Sequence, residues 1–431
     1  MALSEFERRL VERLAAARAS IERDLEAWVN IPTGWNHGWG LDELRSILRR
    51  RLEALGGRAE LRPGVDDPEA PKWKGSIPPT LVVRGPGAGV STDAAMTIKP
   101  LLFSGHLDTV FDPDGDFRSF VRQGDRAVGP GVSDMKGGLA ILMASLEALH
   151  ALESLPPWTV VLNSDEERGS FHSIADLRSL AREHSVAFVV EPALPDGSLV
   201  VERLGSGQLE IRATGRAAHA GRDFTNGISA IDALARAVLE ASRVSDPANG
   251  RIVNLGVIRG GEAANIVPAF ASASGTVRFR DRKSAEAIAS ALRALDRGGE
   301  AGGAARGGKA DGATRGGGHG SQDAGLPRIE VRLALNRPAK RRTTALEPYL
   351  EICLGAAKDL GRPLTTASTG GSSDGNILED AGLPTLDSLG VRGGNLHRTD
   401  EFVELSTLTD RAGLLALTIF RVGKRLGLSN D

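Results

Sequence analysis

Side chains that can bind a metal ion recur at the ends of short apolar stretches of this sequence. One histidine follows LLFSG, two adjacent glutamates follow WTVVLNSD, another glutamate ends AFVVE, and an aspartate and a second histidine lie in glycine-rich segments. The candidate ligands are His106, Asp134, Glu167, Glu191 and His397, with Asp108 and Glu166 beside them. Imidazole nitrogens combined with carboxylate oxygens suit zinc, with cobalt or manganese as possible substitutes.

Each candidate taken alone also has an ordinary structural interpretation. His106 could simply end a strand, and Asp134 could cap the helix that follows it. The acidic run 165–167 could be a solvated loop, although adjacent carboxylates repel one another unless a cation or basic group is near. Glu191 at the end of an apolar run is costly unless it is paired or coordinating. Because all these candidates occur in one chain and most lie at strand ends, a metal site is favoured over the separate structural interpretations.

The elements that would position these residues alternate along the first part of the chain. Apolar runs predict strands, and apolar residues at helical spacing predict helices between them. The predicted strands are 80–85, 101–105, 158–164 and 187–192, and the predicted helices include 3–29, 136–152 and 173–184. This alternation predicts an α/β fold with a mainly parallel sheet flanked by helices. In such sheets, sites form at the carboxyl ends of the strands, where most of the candidates lie.

The pattern changes in the middle of the chain, where 251–260 is one of the predicted strands. There the predicted order is strand–helix–strand–strand–helix–strand, which is the ferredoxin-like order. We therefore predict a discontinuous catalytic domain, 1–205 and 338–431, interrupted by a ferredoxin-like α+β lid domain at 206–337. Residues 296–325 are so rich in glycine that they predict a flexible loop within the lid.

Composition narrows the classes of function. The formal net charge of -2 argues against a general nucleic-acid partner. The single cysteine excludes an internal disulfide. The chain lacks a signal-peptide pattern and a run of about 18 apolar residues, so we expect a cytoplasmic protein without a membrane partner. The glycine- and serine-rich segment that contains Ser372, Ser373 and Asp374 is expected to form a loop near a polar ligand. Its two serines offer a serine nucleophile only weakly, because no GxSxG motif is present.

Seven short motifs, in this order and spacing, resemble those of the co-catalytic zinc metallopeptidases. That family includes carboxypeptidase G, aminoacylase, acetylornithine deacetylase and succinyl-diaminopimelate desuccinylase. The motifs are SGHLDTV (104–110), GPGVSDMKGG (129–138), DEERGS (165–170), EP (191–192), RAAHAG (216–221), NIVP (265–268) and HRTDEFV (397–403). The resemblance runs from about residue 25 to the end. Its one departure is the glycine-rich loop, which is longer than the family normally has.

The resemblance implies two zinc ions per subunit. His106 and Glu191 would bind one ion, Glu167 and His397 would bind the other, and Asp134 would bridge both. In this family the peptide bond after the bridging aspartate is often cis.

The resemblance also implies roles around the metals. Asp108 would orient His106, and Glu166 would be the general base that takes a proton from the attacking water.

Further roles implied by the resemblance fall in the lid domain. His219 matches a histidine that reaches the substrate carbonyl, often across a dimer interface. Asn265, Arg278 and Arg337 match residues that hold the substrate carboxylate in the carboxypeptidase G branch, although a surface ion pair is an alternative for either arginine. We accordingly expect a homodimer formed through the lid.

The expected activity is hydrolysis of an amide bond next to a free carboxylate. The resemblance favours a glutamate-carboxypeptidase-like exopeptidase that releases a C-terminal amino acid. An N-acyl-amino-acid deacylase is the main alternative, because the two differ only on the acyl side of the bond. An N-carbamoyl amidohydrolase and a non-catalytic binding protein with the same fold are further alternatives.

Overall fold

The chain divides into two compact units. A computed structural model describes residues 3–34, 37–67, 76–86, 99–297 and 326–428. The first unit comprises Met1–Arg203 and Lys340–Asp431, and the second comprises Leu204–Ala339. Arg203 and Lys340 exchange backbone hydrogen bonds of 3.1 and 3.0 Å, so the two segments of the first unit meet at adjacent residues. The predicted glycine-rich loop, apart from its first two residues, lies outside the described residues.

The first segment of the first unit alternates helices and strands. In chain order these are α1 (Glu5–Ala16), α2 (Arg18–Val29), α3 (Gly38–Ala54), β1 (Arg58–Arg62), β2 (Thr80–Gly85), β3 (Leu101–His106), β4 (Val121–Gln123), β5 (Arg126–Val128), α4 (Lys136–Ala151), β6 (Trp158–Asn163), α5 (Ile174–Glu183), β7 (Val186–Val189) and β8 (Leu199–Arg203). A capping box starts α1: the Ser4 hydroxyl accepts from the Glu7 N–H, and the Glu7 carboxylate accepts from the Ser4 N–H.

The second unit has the ferredoxin-like order predicted from the sequence. Its elements are β9 (Gly205–Thr214), β10 (Ala218–His219), α6 (Ala230–Ser242), β11 (Arg251–Gly260), β12 (Ile266–Val267), β13 (Phe270–Phe279), α7 (Arg282–Arg293) and β14 (Arg328–Arg337). The four long strands form an antiparallel sheet in the order β11-β13-β9-β14. Apolar residues of α6 and α7 share one core with this sheet.

The chain then returns to the first unit. This segment forms α8 (Glu347–Asp359), β15 (Thr366–Thr369), α9 (Asp374–Asp380), β16 (Thr385–Leu386), β17 (Gly393–Gly394), β18 (Phe402–Glu404) and α10 (Leu408–Arg425). Within the described part of the chain, no helix combines the length and apolar character needed to cross a membrane.

A six-stranded sheet organises the first unit. Its strand order is β1-β2-β6-β3-β7-β16. The strands from β6 to β16 pair in parallel, whereas β1 pairs antiparallel with β2, and β2 pairs antiparallel with β6. Two separate apolar clusters cover it: α4 and α10 contribute to one, and α5 and α9 to the other. The predicted α/β fold with a mixed, mainly parallel sheet is therefore confirmed. Parallel pairing also places the carboxyl ends of β3, β6 and β7 at one edge.

Candidate metal centre

Three of the five candidate ligands lie at or just beyond these strand ends. His106 is the last residue of β3, and a short 3₁₀ turn at Glu166–Arg168 follows β6. β7 ends at Val189, so Glu191 lies two residues beyond the strand rather than at its end. Asp134 lies in the turn that precedes α4.

The structure brings the five predicted ligands together in two groups of three. His106 Nε2 lies 3.2 Å from Asp134 Oδ1 and 3.7 Å from Glu191 Oε1. His397 Nε2 lies 3.4 Å from Asp134 Oδ2 and 3.1 Å from Glu167 Oε2. In each group the potential ligand atoms lie within 4.8 Å of one another. Asp134 belongs to both groups and presents a different oxygen to each histidine.

The three carboxylates of the cluster repel one another when they are ionised. Burial and the nearby charge of Asp134 raise the pKa of Glu191 well above its usual value, and raise that of Glu167 to about 7. Burial opposes ionisation of Asp134 as well, but hydrogen bonds with His106 and His397 lower its pKa. Three acidic groups thus compete for two histidines, and divalent cations would relieve their repulsion. The donor set and its crowding fit a pair of metal ions.

The two histidines differ in access to solvent. His106 is buried, whereas the His397 side chain is 53% exposed. His397 also adopts a left-handed backbone conformation, with φ of 64°, which is uncommon for a residue other than glycine. Such conformations persist where the surrounding structure imposes them.

Asp108 contacts both His106 and the acidic turn. His106 Nδ1 lies 2.9 Å from the backbone carbonyl of Asp108 and 3.4 Å from its carboxylate. The carboxylate accepts the N–H groups of Glu166 and Glu167, at 3.3 and 2.9 Å. The predicted orienting contact therefore comes closest through the backbone, and the carboxylate also fixes the turn that carries the two glutamates.

Glu166 lies within electrostatic reach of the cluster. It is buried, and its charge contributes to the raised pKa values of His106 and Glu191.

The turn that carries Asp134 has an unusual backbone. The Asp134–Met135 peptide bond is cis, as the resemblance implied, and Gly131 adopts a φ of 70°. A Cβ on Gly138 would lie 2.0 Å from the Val190 carbonyl oxygen, so this glycine allows α4 to approach the segment that carries Glu191.

Other acidic residues near the strand ends have structural partners. Asp165 accepts hydrogen bonds from the Ser173 hydroxyl and the His172 N–H, both at 2.7 Å. Asp374 accepts from Asn163 at 2.7 Å and from Ser170 at 2.5 Å.

The serine-rich segment also has a structural role. The Ser373 hydroxyl accepts from the Gly375 N–H and donates to Asp387, and Ser373 caps α9. These contacts do not favour a serine nucleophile at this position.

The remaining predicted site residues lie in the second unit, in two places. His219 of β10 pairs with Ile266 of β12, and the carbonyl of the preceding residue, Asn265, accepts from the Ala220 N–H. His219 is exposed, and its Nδ1 accepts backbone N–H groups.

The second place is one end of the long sheet. Arg278 of β13 and Arg337 of β14 both pair with Ser206 of β9. Residues directly opposite in a sheet point to the same face, so both arginines lie on the same face.

Two sets of buried polar contacts near the site were not predicted. Glu401 accepts the backbone N–H groups of Ser133 and Asp134, at 2.8 and 3.0 Å. Arg203 forms two 2.9 Å hydrogen bonds with the carboxylate of Asp387. The acidic pair after His397 is a sequence signal for Glu401, but the Arg203–Asp387 contact joins residues far apart in the chain and has no local signal.

Comparison with known proteins agrees with this geometry. Residues 102–421 match the peptidase family M20/M25/M40. Carboxypeptidase G2 of Pseudomonas sp. is 26% identical over 412 residues, covering 94% of this chain and 89% of that protein. Succinyl-diaminopimelate desuccinylase of Methylobacterium nodulans is 28% identical over 335 residues, covering 72% and 76%.

A solved structure agrees at the level of the fold. The M20 family metallo-carboxypeptidase of Sulfolobus solfataricus superposes with a TM-score of 0.67 at 16% identity, covering 93% of this chain and 99% of that one. The family match covers well over half of the chain and includes all five candidate ligands. The chain therefore belongs to the peptidase family M20/M25/M40, whose members are metal-dependent hydrolases of amide bonds.

Proposed function

We propose that this protein is a di-zinc exopeptidase of the glutamate-carboxypeptidase type, which releases a C-terminal amino acid from its substrate. The observation that carries this proposal is the shared position of Asp134 between two ligand groups, each completed by one histidine and one glutamate. Cobalt or manganese could replace zinc, because the same nitrogen and oxygen ligands suit these ions.

The proposed chemistry divides between the metals and Glu166. Bound divalent ions would supply Lewis-acid polarisation of the scissile carbonyl and of the attacking water. Glu166 accepts the proton of that water and returns it to the nitrogen of the leaving amine. Asp108 holds Glu166 in place, because its carboxylate accepts the N–H groups of Glu166 and Glu167.

Substrate recognition is assigned to the second unit. Arg278 and Arg337 would bind the free carboxylate, since a guanidinium can offer two parallel hydrogen bonds to a carboxylate. Their common register opposite Ser206 supports a shared task. Asn265 and His219 would complete the contacts, with His219 at the carbonyl oxygen. The 26% identity to a carboxypeptidase over nearly the whole chain supports the same branch.

An N-acyl-amino-acid deacylase is the second candidate. The relative named succinyl-diaminopimelate desuccinylase supports it, at 28% identity over 335 residues. Both activities require a carboxylate beside the scissile amide.

The proposal includes a homodimer formed through the second unit. β11 lies at one end of its sheet, and Val257 and Ile258 on that strand are exposed. An edge strand with exposed apolar residues can pair with the same strand of a second copy. Sedimentation of wild-type protein should give a dimer, and Ile258→Lys should shift it towards monomer. A wild-type protein that stays monomeric at all concentrations would remove any role for His219 across subunits.

A hydrolysis screen of the zinc-loaded protein tests the activity. It compares folyl-type glutamate conjugates, dipeptides and N-acetyl amino acids. Turnover of the first two classes supports the carboxypeptidase, and turnover of N-acetyl amino acids alone supports the deacylase. Chelation of the metal should abolish either activity. No turnover in any class would favour a non-catalytic binding protein.

Two variants separate chemistry from metal binding. Glu166→Ala should keep its metal while kcat falls by roughly 10²–10⁴-fold, the usual contribution of a general base. Asp134→Ala should lose metal, measured by elemental analysis. Glu60→Ala, at an exposed ion pair with Arg84, is the matched control and should match the wild type. An active Glu166→Ala would contradict the assignment of the base.

A further inference from the structure

A buried carboxylate outside the ligand set reaches the backbone of the bridging aspartate. Glu401 is fully buried. Its Oε1 accepts the N–H groups of two successive residues, Ser133 at 2.8 Å and Asp134 at 3.0 Å. Its own N–H donates to the Arg398 carbonyl at 3.0 Å, and its carbonyl accepts from the Gly129 N–H at 3.2 Å. Glu401 is therefore fixed at both its backbone and its side chain.

These contacts join two chain segments that each supply a candidate ligand. One segment runs from β5 into the turn with Asp134, and the other runs from His397 into β18. The strands pair antiparallel, with Val128 opposite Phe402. Glu401 comes directly before β18, so it spans the two segments at the point where their ladder ends.

The position of the Asp134 backbone decides where its carboxylate can point. Oδ1 lies 3.2 Å from His106 Nε2, and Oδ2 lies 3.4 Å from His397 Nε2. An aspartate has only two side-chain torsions, so a shift of its backbone moves both oxygens together. Two N–H groups bound to one carboxylate oxygen restrain the peptide plane from which the Asp134 side chain projects.

We propose that Glu401 is a positioning residue for the metal pair, which holds Asp134 so that one carboxylate serves both ions. This inference rests on the proposed function, because it takes Asp134 as the bridging ligand. The required feature of Glu401 is an acceptor oxygen at the position of Oε1. Oε2 forms no hydrogen bond with any described residue, so an amide nitrogen at that position would break none.

The experiment measures metal affinity rather than turnover. Metal-free full-length protein is titrated with Zn²⁺ by calorimetry, and with Co²⁺ followed by visible absorption. Glu401→Ala removes the acceptor oxygen, and Glu401→Gln retains it. Glu404→Ala is the matched control, because Glu404 lies on the adjoining strand and faces Arg392 and Arg126.

The expected metal affinities depend on whether each variant keeps an acceptor oxygen at the position of Oε1. Wild type should bind two ions, and Glu401→Ala should bind at least one of them roughly 10–100-fold more weakly, as for other partners that orient a ligand. Glu401→Gln should stay within about 3-fold of wild type, because rescue by the amide separates positioning from charge. Glu404→Ala should bind like wild type.

Several outcomes would overturn the inference. Equal affinities of wild type and Glu401→Ala would refute it, as would an equally large loss in Glu401→Gln. If Glu401→Ala does not fold, Glu401→Asp decides: its shorter side chain withdraws the oxygen, so an unchanged affinity refutes the inference. A wild type that does not bind two ions, or an Asp134→Ala that binds both, contradicts the proposed function instead.

Discussion

Removal of the Asp387 carboxylate should destabilise the first unit strongly. This buried side chain accepts two hydrogen bonds from Arg203, one from the Ser373 hydroxyl at 3.1 Å and one from the Ser388 N–H at 2.6 Å. Asp387→Ala leaves the Arg203 guanidinium buried without its counter-charge. Loss of one partner of a buried ion pair costs about 3–5 kcal/mol. We expect a loss in this range.

Urea unfolding followed by tryptophan fluorescence measures this loss. Trp28 and Trp158 are buried in the core of the first unit, and the sequence of the second unit contains no tryptophan, so the fluorescence reports unfolding of the first unit. With an m-value of about 3 kcal/mol/M, the predicted loss lowers the urea midpoint by about 1–1.7 M. Asp380→Ala is the surface control, because Asp380 is 47% exposed and 3.9 Å from Arg178. Its effect should stay below about 0.5 kcal/mol.

A double variant tests the cause of the loss. Arg203→Met combined with Asp387→Ala removes both partners of this buried ion pair. It should therefore be more stable than Asp387→Ala alone by at least about 1 kcal/mol. A midpoint for Asp387→Ala equal to that of the surface control would refute the reasoning. A double variant less stable than the single variant would show that orphaned charge is not the cause.

Three further perturbations follow from the same structure. Although burial opposes it, the Arg203 charge holds the pKa of Asp387 below its ordinary value of 3.8. Urea midpoints should therefore show a stability gap, the difference in free energy of unfolding between wild type and Asp387→Asn, that is constant above about pH 5. This gap should narrow only below pH 4, where the carboxylate becomes protonated. Gly390→Ala places a Cβ 2.4 Å from the Val190 carbonyl oxygen and 2.6 Å from that of Glu191, so urea unfolding should show a loss of about 1–3 kcal/mol, and zinc titration a weaker affinity. Burial raises the pKa of Cys353 to about 11, so a thiol reagent at pH 8 should label it only after denaturation. A pH-independent gap, unchanged stability of Gly390→Ala or rapid native labelling would contradict the respective prediction.

Sequence patterns predict individual helices and strands well where the pattern depends only on neighbouring residues. The runs 80–85 and 251–260 coincide with β2 and β11, because apolar periodicity and flanking glycines define a strand. The predicted helix 3–29 is two helices that meet at Ala17. Its amphipathic pattern continues through the break, so the periodicity gave no sign of it.

The candidate site was predictable only in part. Three ligands lie at or just beyond parallel strand ends, so topology brings His106, Glu167 and Glu191 to one edge of the sheet. Glu401 and Asp387 contact partners that lie 268 and 184 residues away in the chain, and no periodicity encodes such contacts. Asp374, predicted in a loop near a ligand, instead binds Asn163 and Ser170. In sequence an acidic residue with internal partners looks the same as one available to a metal.

The backbone bridge between Arg203 and Lys340 has a consequence for how this architecture could have arisen. Hydrogen-bonded residues on antiparallel neighbours lie about 5.5 Å apart, a gap that a short turn can close. A whole folded unit here occupies the place of such a turn. The closure entropy of a loop grows only with the logarithm of its length. Exchange of a turn for a self-folding insert therefore lowers the stability of the first unit, the host, very little. The two units could therefore diversify separately, and deletion of Leu204–Ala339 with a short glycine-containing turn in its place should leave a host that folds by itself.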